Sequence, residues 1–212
     1  MRKFNYKVLL IIIFSVIFLF SCAQNVELRS FTDPSIQSSV VKKVAIFPIR
    51  NARILPGESR ELVRSFTIEF LKKNPGITII SATKATDLLN KNKMTEKYAE
   101  FLRDYAVSGI PNARILKNIG KILGVDAIVQ GEIFDFYQKD GHYPGVMART
   151  SLTMRYYLLS TSKGDVLWET TCSASLKPSG LTASVWSPPP PLIDVIKIAQ
   201  EKILSDIPYL GK

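Results

Sequence analysis

The chain has 212 residues, with 28 Lys and Arg against 18 Asp and Glu, two Cys and one His. At 46% hydrophobic and 22% charged residues it is neither a disordered nor a collagen-like sequence. The two cysteines exclude a disulfide framework and a Cys-rich zinc site, the lone histidine excludes two-His metal sites, and the length suits one domain or two small ones.

Arg2, Lys3 and Lys7 precede an apolar run from Val8 to Phe20 that only Ser15 interrupts. This is the order of a secretory signal, a basic start and then a short apolar stretch. The run is shorter than the roughly 20 residues that cross a bilayer, so an uncleaved anchor is the secondary reading. It ends Leu19-Phe20-Ser21-Cys22, which resembles a bacterial lipobox, although Phe20 is larger than the residue usual there. The resemblance implies cleavage before Cys22 and attachment of fatty chains, palmitate among them, to that residue. More than one chain gives a stable anchor, at about 0.8 kcal/mol per buried CH₂. Ala23 in place of Asp points, by analogy, to the outer membrane. Without residues 1–21 the chain keeps 25 Lys and Arg against 18 Asp and Glu. The cations come as scattered pairs, with no arginine-rich stripe among aromatics, so nucleic acid is not an expected partner.

Ala23 to Val40 is polar and reads as a tether, at most about 60 Å extended and about 23 Å as a coil. Lys43 to Ile49 reads as a buried strand with Pro48 near its end. Leu62, Val63, Phe66, Phe70 and Leu71 form one face of a helix from Glu58 to Lys73, which Asn74-Pro75-Gly76 stops. Ile77 to Ile80 is a β-branched strand. Ser81 caps a helix to about Asn90 with Ala82, Ala85, Leu88 and Leu89 inward. Met94 to Val107 carries the stripe Tyr98, Phe101, Leu102 and Tyr105. Asn112 caps a helix with Ile115, Ile119, Ile122 and Leu123, closed by Gly124.

Ala127 to Phe136 reads as a strand in which Gly131 signals a bulge or a close backbone approach. Leu152, Met154, Tyr156 and Leu158 alternate with polar residues, and Val166, Trp168 and Cys172 share a face beyond a Lys163-Gly164-Asp165 turn. Together these runs predict an antiparallel hairpin. Residues 173–190 read as a Ser-, Gly- and Pro-rich loop ending in polyproline. Leu192, Ile196, Ala199 and Ile203 mark a final helix that stops at Ile207-Pro208. The expected fold class is α/β, a mixed sheet of four to five strands packed against helices. It forms a single domain over 41–207, after a signal peptide (1–21) and a lipidated tether (22–40).

Three segments resemble the CsgG/LpoB/TolB-N-like envelope lipoproteins. They are Val44-Ala45-Ile46-Phe47-Pro48-Ile49-Arg50-Asn51, the junction Leu123-Gly124-Val125-Asp126-Ala127-Ile128-Val129-Gln130-Gly131-Glu132-Ile133, and the hairpin Ser162-Lys163-Gly164-Asp165-Val166-Leu167-Trp168-Glu169. The resemblance covers most of 41–205 and implies a fold and an envelope location. It also implies three roles. A CsgG-like secretion channel needs two long alternating hairpins. The candidate insertions, 137–148 and 173–190, are too short or too rich in proline to supply them. A synthase activator of the LpoB kind needs a long tether, which is absent here. A non-enzymatic accessory or adaptor in envelope assembly or export is the expected role.

His142 is the one imidazole, and an envelope hydrolase built on it is the competing class. It would need a nucleophile and an orienting group placed around it. Cys172 reads as a buried small hydrophobe. Glu132 and Asp135, three apart on a strand, are expected to face opposite ways. The expected site is therefore Cys22 for lipid, with Trp186, Pro188, Pro189, Pro190 and Tyr143 as candidate contacts with an unidentified envelope protein. No cofactor and no metal is expected. The membrane is reached through the lipid, and a homo-oligomer is compatible with the reading.

Overall fold

The computed structural model describes residues 24–37, 41–50, 59–141, 147–178 and 188–210. Its elements in chain order are β1 (Gln24–Thr32), a 3₁₀ turn (Pro34–Gln37), β2 (Lys43–Ile46), α1 (Ser59–Lys73), β3 (Thr78–Ile80), α2 (Ala82–Lys91), α3 (Thr95–Ser108), α4 (Ala113–Leu123), β4 (Ala127–Lys139), β5 (Arg149–Ser160), β6 (Val166–Leu176) and α5 (Leu192–Asp206). The strands form one six-stranded sheet in the order β1-β6-β5-β4-β2-β3. Pairing is antiparallel from β1 to β4 and parallel from β4 through β2 to β3. The fold class is α/β with a mixed sheet, as the sequence predicts, but with six strands.

The extra strand comes from the segment that sequence reasoning makes a tether. Gln24–Thr32 pairs along its whole length with β6, from Gln24 opposite Leu176 to Thr32 opposite Trp168. Only Val26 and Leu28 pack toward the core, and Glu27 and Arg29 alternate with them in solvent. Two apolar residues suffice because β1 is an edge strand with one partner, and its charges suit an exposed edge. The Ser30 hydroxyl donates to Asp206 Oδ2 at 2.6 Å and so ties β1 to α5.

Helices lie on both faces of the sheet. One core joins Val44, Ile46, Val129, Met154, Tyr156, Leu158, Trp168 and Cys172 to Phe66 and Phe70 of α1 and Ile196 and Ile203 of α5. The other joins Ala45, Ile128, Tyr157 and Leu159 to Leu89 of α2, Phe101 and Tyr105 of α3, and Leu116 and Ile119 of α4. Strand β5 records this double cover in its sequence. From Ser151 to Arg155 it alternates, because one face is open. From Tyr156 to Leu159 it is continuously apolar, because both faces are covered.

The predicted caps form. The Ser81 side chain accepts from the Lys84 amide and Asn112 Oδ1 from the Ile115 amide. Gly109 and Gly124 end α3 and α4 at φ 68° and 61°. The centre of the α4 stripe is Leu116, fully buried, with Ile115 and Ile122 at its margins. Asp126 accepts from the amides of both Lys42 and Lys43 at 2.9 Å, fixing β2 beside β4.

Three local corrections follow from ladder geometry. Strand β2 stops at Ile46, before Pro48, which has no amide to give the ladder. The chain rejoins β4 at Arg50, whose amide donates to the Gly131 carbonyl at 2.8 Å. The register shifts between Leu158 and Leu159, which pair with Trp168 and Val166, so Leu167 is an extra residue. Val166 therefore packs on the α2–α4 side while Trp168 and Cys172 pack on the α1–α5 side, and the three do not share a face. The third correction concerns Ser173–Leu176, read in the sequence as loop, which completes β6.

Gly131 fits the close approach rather than the bulge. The Tyr156 ring lies over it, stacked on Phe66 with centroids 4.5 Å apart, and a Cβ at position 131 would meet Tyr156 Cε1 at 2.7 Å. Gly131→Ala is expected to cost about 1–3 kcal/mol by forcing this stack apart, read as a lower urea midpoint. An unchanged midpoint would show that the ring moves freely.

Candidate interaction surface

Beyond the reach of α2–α4, no described helix covers the sheet face that these helices pack on. Ser151, Thr153 and Thr171 are half-exposed there, and Ser173, Asn25, Glu27 and Arg29 are exposed. Large side chains rim it: Phe31, Phe134 and Tyr137 are 52%, 62% and 48% exposed. Phe134 owes its exposure to a second register shift, between Ile133 and Asp135. Across that bulge Asp135 pairs with Thr153 and Glu132 with Arg155. Cross-strand partners share a face, so Glu132 and Asp135 lie on the same side, against the expectation from their spacing. Glu132 is buried and Asp135 exposed.

At the boundary between covered and open sheet sits a charge network. Arg155 Nη2 donates to Glu132 Oε2 at 2.8 Å, and Arg155 Nη1 lies 3.7 Å from Glu169 Oε1. Arg50 Nη1 lies 3.3 Å from Glu132 Oε1 and donates to the Leu102 carbonyl of α3 at 2.8 Å. The Tyr105 hydroxyl donates to Glu169 Oε2 at 2.8 Å. The Arg155 guanidinium also lies 5.4–5.8 Å from the ring centres of Tyr157, Phe134 and Tyr105. Burial opposes the Arg155 charge, but its hydrogen bond to Glu132 and the charges of Glu132 and Glu169 outweigh it, so its pKa lies above the ordinary arginine value. Burial, with the Glu169 hydrogen bond second, pushes the Tyr105 phenol well up, and burial does the same for Tyr157. Arg155 Nε and the Tyr157 hydroxyl are buried without a hydrogen-bond partner. Two carboxylates, Glu132 and Glu169, face two guanidiniums, Arg50 and Arg155. The arrangement sets ion-paired and aromatic side chains side by side at this boundary.

Of the predicted contact residues, the structure describes the three prolines. Pro188 is exposed and Pro189 and Pro190 are half-buried, and the Pro190 carbonyl accepts from Thr150 Oγ1 at 2.6 Å. The prolines thus run along the domain into α5. Cys22, Tyr143, His142 and Trp186 lie outside the described residues. Cys172 is fully buried, and burial pushes its thiol up to about 11. Among the described residues no helix is long and apolar enough to cross a membrane, and no group of three or more His, Cys, Asp or Glu could hold a metal. Sequence reasoning missed Arg155, Glu132, Glu169 and Arg50. The available signal was a carboxylate inside the apolar run Ala127–Ile133, which needs a cationic partner once buried.

No family model and no curated protein matches the chain. Among solved structures, the PelC dodecamer from Paraburkholderia phytofirmans is similar over 86% of this chain and 97% of its own, at 16% identity and a TM-score of 0.46. Lipoprotein GNA1162 from Neisseria meningitidis is similar over 77% of this chain and 99% of its own, at 14% identity and a TM-score of 0.45. The LpoB C-terminal domain from Salmonella enterica is similar over 62% of this chain and 81% of its own, at 10% identity and a TM-score of 0.38.

Proposed function

We propose that this chain is a lipid-anchored outer-membrane protein facing the periplasm. It works without catalysis, holding another envelope protein against the open half of its sheet during assembly or export. The anchor rests on the signal-like start and the Ser21-Cys22 junction. The contact role rests on one observation: aromatic side chains stand exposed around the part of the sheet that the described helices leave uncovered, beside the charge network that α3 borders. Exposed Phe and Tyr beside Arg are the composition of interface anchors. In the competing reading His142 serves a hydrolase, and His142→Ala with unchanged complementation would remove that reading.

The contact surface is tested by a photo-crosslinking residue placed at Phe134 on the open face and, separately, at exposed Thr83 on α2. A discrete adduct with an envelope protein is expected at 134 and not at 83. The same adduct pattern at both positions, or none at 134, would refute the assignment of this face.

A further inference from the structure

The strand register gathers one end of the sheet. Gln24 stands opposite Leu176, Leu176 opposite Thr150, and Thr150 opposite Gln138. One step further Lys139 stands opposite Arg149, and Lys177 follows Leu176. All three cations are exposed, and Asp140 is the acid in the same stretch. Tyr137 and Met147 beside them are 48% and 56% exposed.

Two features of this end call for an anionic occupant. Like charges placed directly opposite on an antiparallel pair repel, and neither Lys139 nor Arg149 makes an ion pair with a described residue. The cations also stand among exposed apolar side chains, the mixture that suits a headgroup layer better than open water. The place of the chain's start then selects the anion. Only Ala23 separates Cys22 from Gln24, so a lipid on Cys22 lies within about 7 Å of the first residue of β1, at this same end. The expected tether, about 23 Å as a coil, shrinks to almost nothing.

We propose that the end of the sheet carrying Lys139, Arg149 and Lys177 rests on anionic phospholipid headgroups, with Met147 and Tyr137 in the interfacial layer. The proposal deepens the lipid-anchor reading and depends on it for orientation. It turns the anchor from a leash into a mount: the sheet stands end-on to the bilayer, and its open face is held sideways to partners in the periplasm. Each cation near an anionic surface is worth about a fivefold factor, so removing three weakens the attraction by about a hundredfold.

The experiment places a nitroxide probe on the mature lipoprotein through Met147→Cys or Val107→Cys. Cys172 is buried and does not compete for the reagent. Val107 is 91% exposed and lies just past Tyr105, which bonds Glu169, the partner of Phe31. That places it near the other end of β1, about 23 Å away along the strand. The protein is reconstituted into vesicles of phosphatidylcholine alone or mixed with phosphatidylglycerol, and collisions with a water-soluble nickel chelate are measured. With phosphatidylglycerol the probe at 147 is expected to be shielded severalfold relative to the probe at 107. The shielding should be lost in phosphatidylcholine alone and in the K139E/R149E/K177E variant. Equal accessibility at 147 and 107 with phosphatidylglycerol overturns the proposal, as does shielding that survives the triple charge reversal. Mass spectrometry of the same sample tests the anchor separately. An unmodified amino end would refute the lipid on Cys22, and flotation of that sample with phosphatidylglycerol vesicles would still decide whether this end binds the anionic surface.

Discussion

Trp168→Ala should lower stability by about 3–5 kcal/mol, the range for removing a fully buried large aromatic. Trp168 is 0% exposed, its ring centre lies 6.5 Å from that of Phe66, and it packs between the sheet and the α1–α5 layer. Its indole N–H donates to Asp206 Oδ2 at 3.1 Å, the oxygen that also receives the Ser30 hydroxyl. The ring and its polar handle thus join β6, α5 and β1 at one carboxylate. With a urea slope of about 1–3 kcal/mol per molar, the unfolding midpoint should fall by more than about 1 M. Trp168→Phe keeps most of the packing and loses only the indole bond, so it should cost much less. Equal losses for the two variants would mean that the hydrogen bond, not the ring, dominates.

The second large effect is expected at Glu132. Its side chain is 4% exposed and meets the guanidiniums of Arg155 and Arg50, which are 14% and 23% exposed. Glu132→Ala leaves those cations without their shared carboxylate, and breaking a buried pair on one side costs about 3–5 kcal/mol. Arg155 keeps Glu169 at 3.7 Å, which places the expected loss near the lower bound. The combination of Glu132→Leu with Arg155→Met should recover part of the loss, because it removes the more buried of the two cations and leaves only Arg50, at 23% exposure, without the carboxylate. Thermal unfolding of Glu132→Leu, Arg155→Met and the double variant forms the cycle. A double variant no better than the sum of its singles would show that the two side chains do not act as a pair. If the double variant folds and still yields the Phe134 crosslink, the network serves rigidity rather than direct recognition.

Much of the fold was legible because strong patterns coincide with buried faces. The stripe at Leu62, Phe66 and Phe70, the caps at Ser81 and Asn112, and the alternation from Leu152 to Leu158 each follow from local chemistry. What escaped depended on partners distant in sequence. Strand β1 has two core-facing apolar residues and exists because β6 offers it nine consecutive pairs. The faces of Val166 and Asp135 depend on single extra residues, Leu167 and Phe134, and no local property of those residues marks them as bulges. The charge network spans residues 50 to 169, so spacing on one strand could not assemble it. Of the predicted contacts, the prolines belong to the approach to α5, whereas the exposed aromatics of the open face became visible only once the bulge and the helix cover were known.

The position of β1 also decides where the polypeptide can be shortened. A soluble fragment begun at Val41, where the sequence alone starts the domain, would strip the outermost strand from the sheet. The amides and carbonyls of β6 from Trp168 to Leu176 that β1 engages would then face water as an unguarded template, inviting other chains to pair with them. Fragments that begin at or before Gln24 keep that border closed.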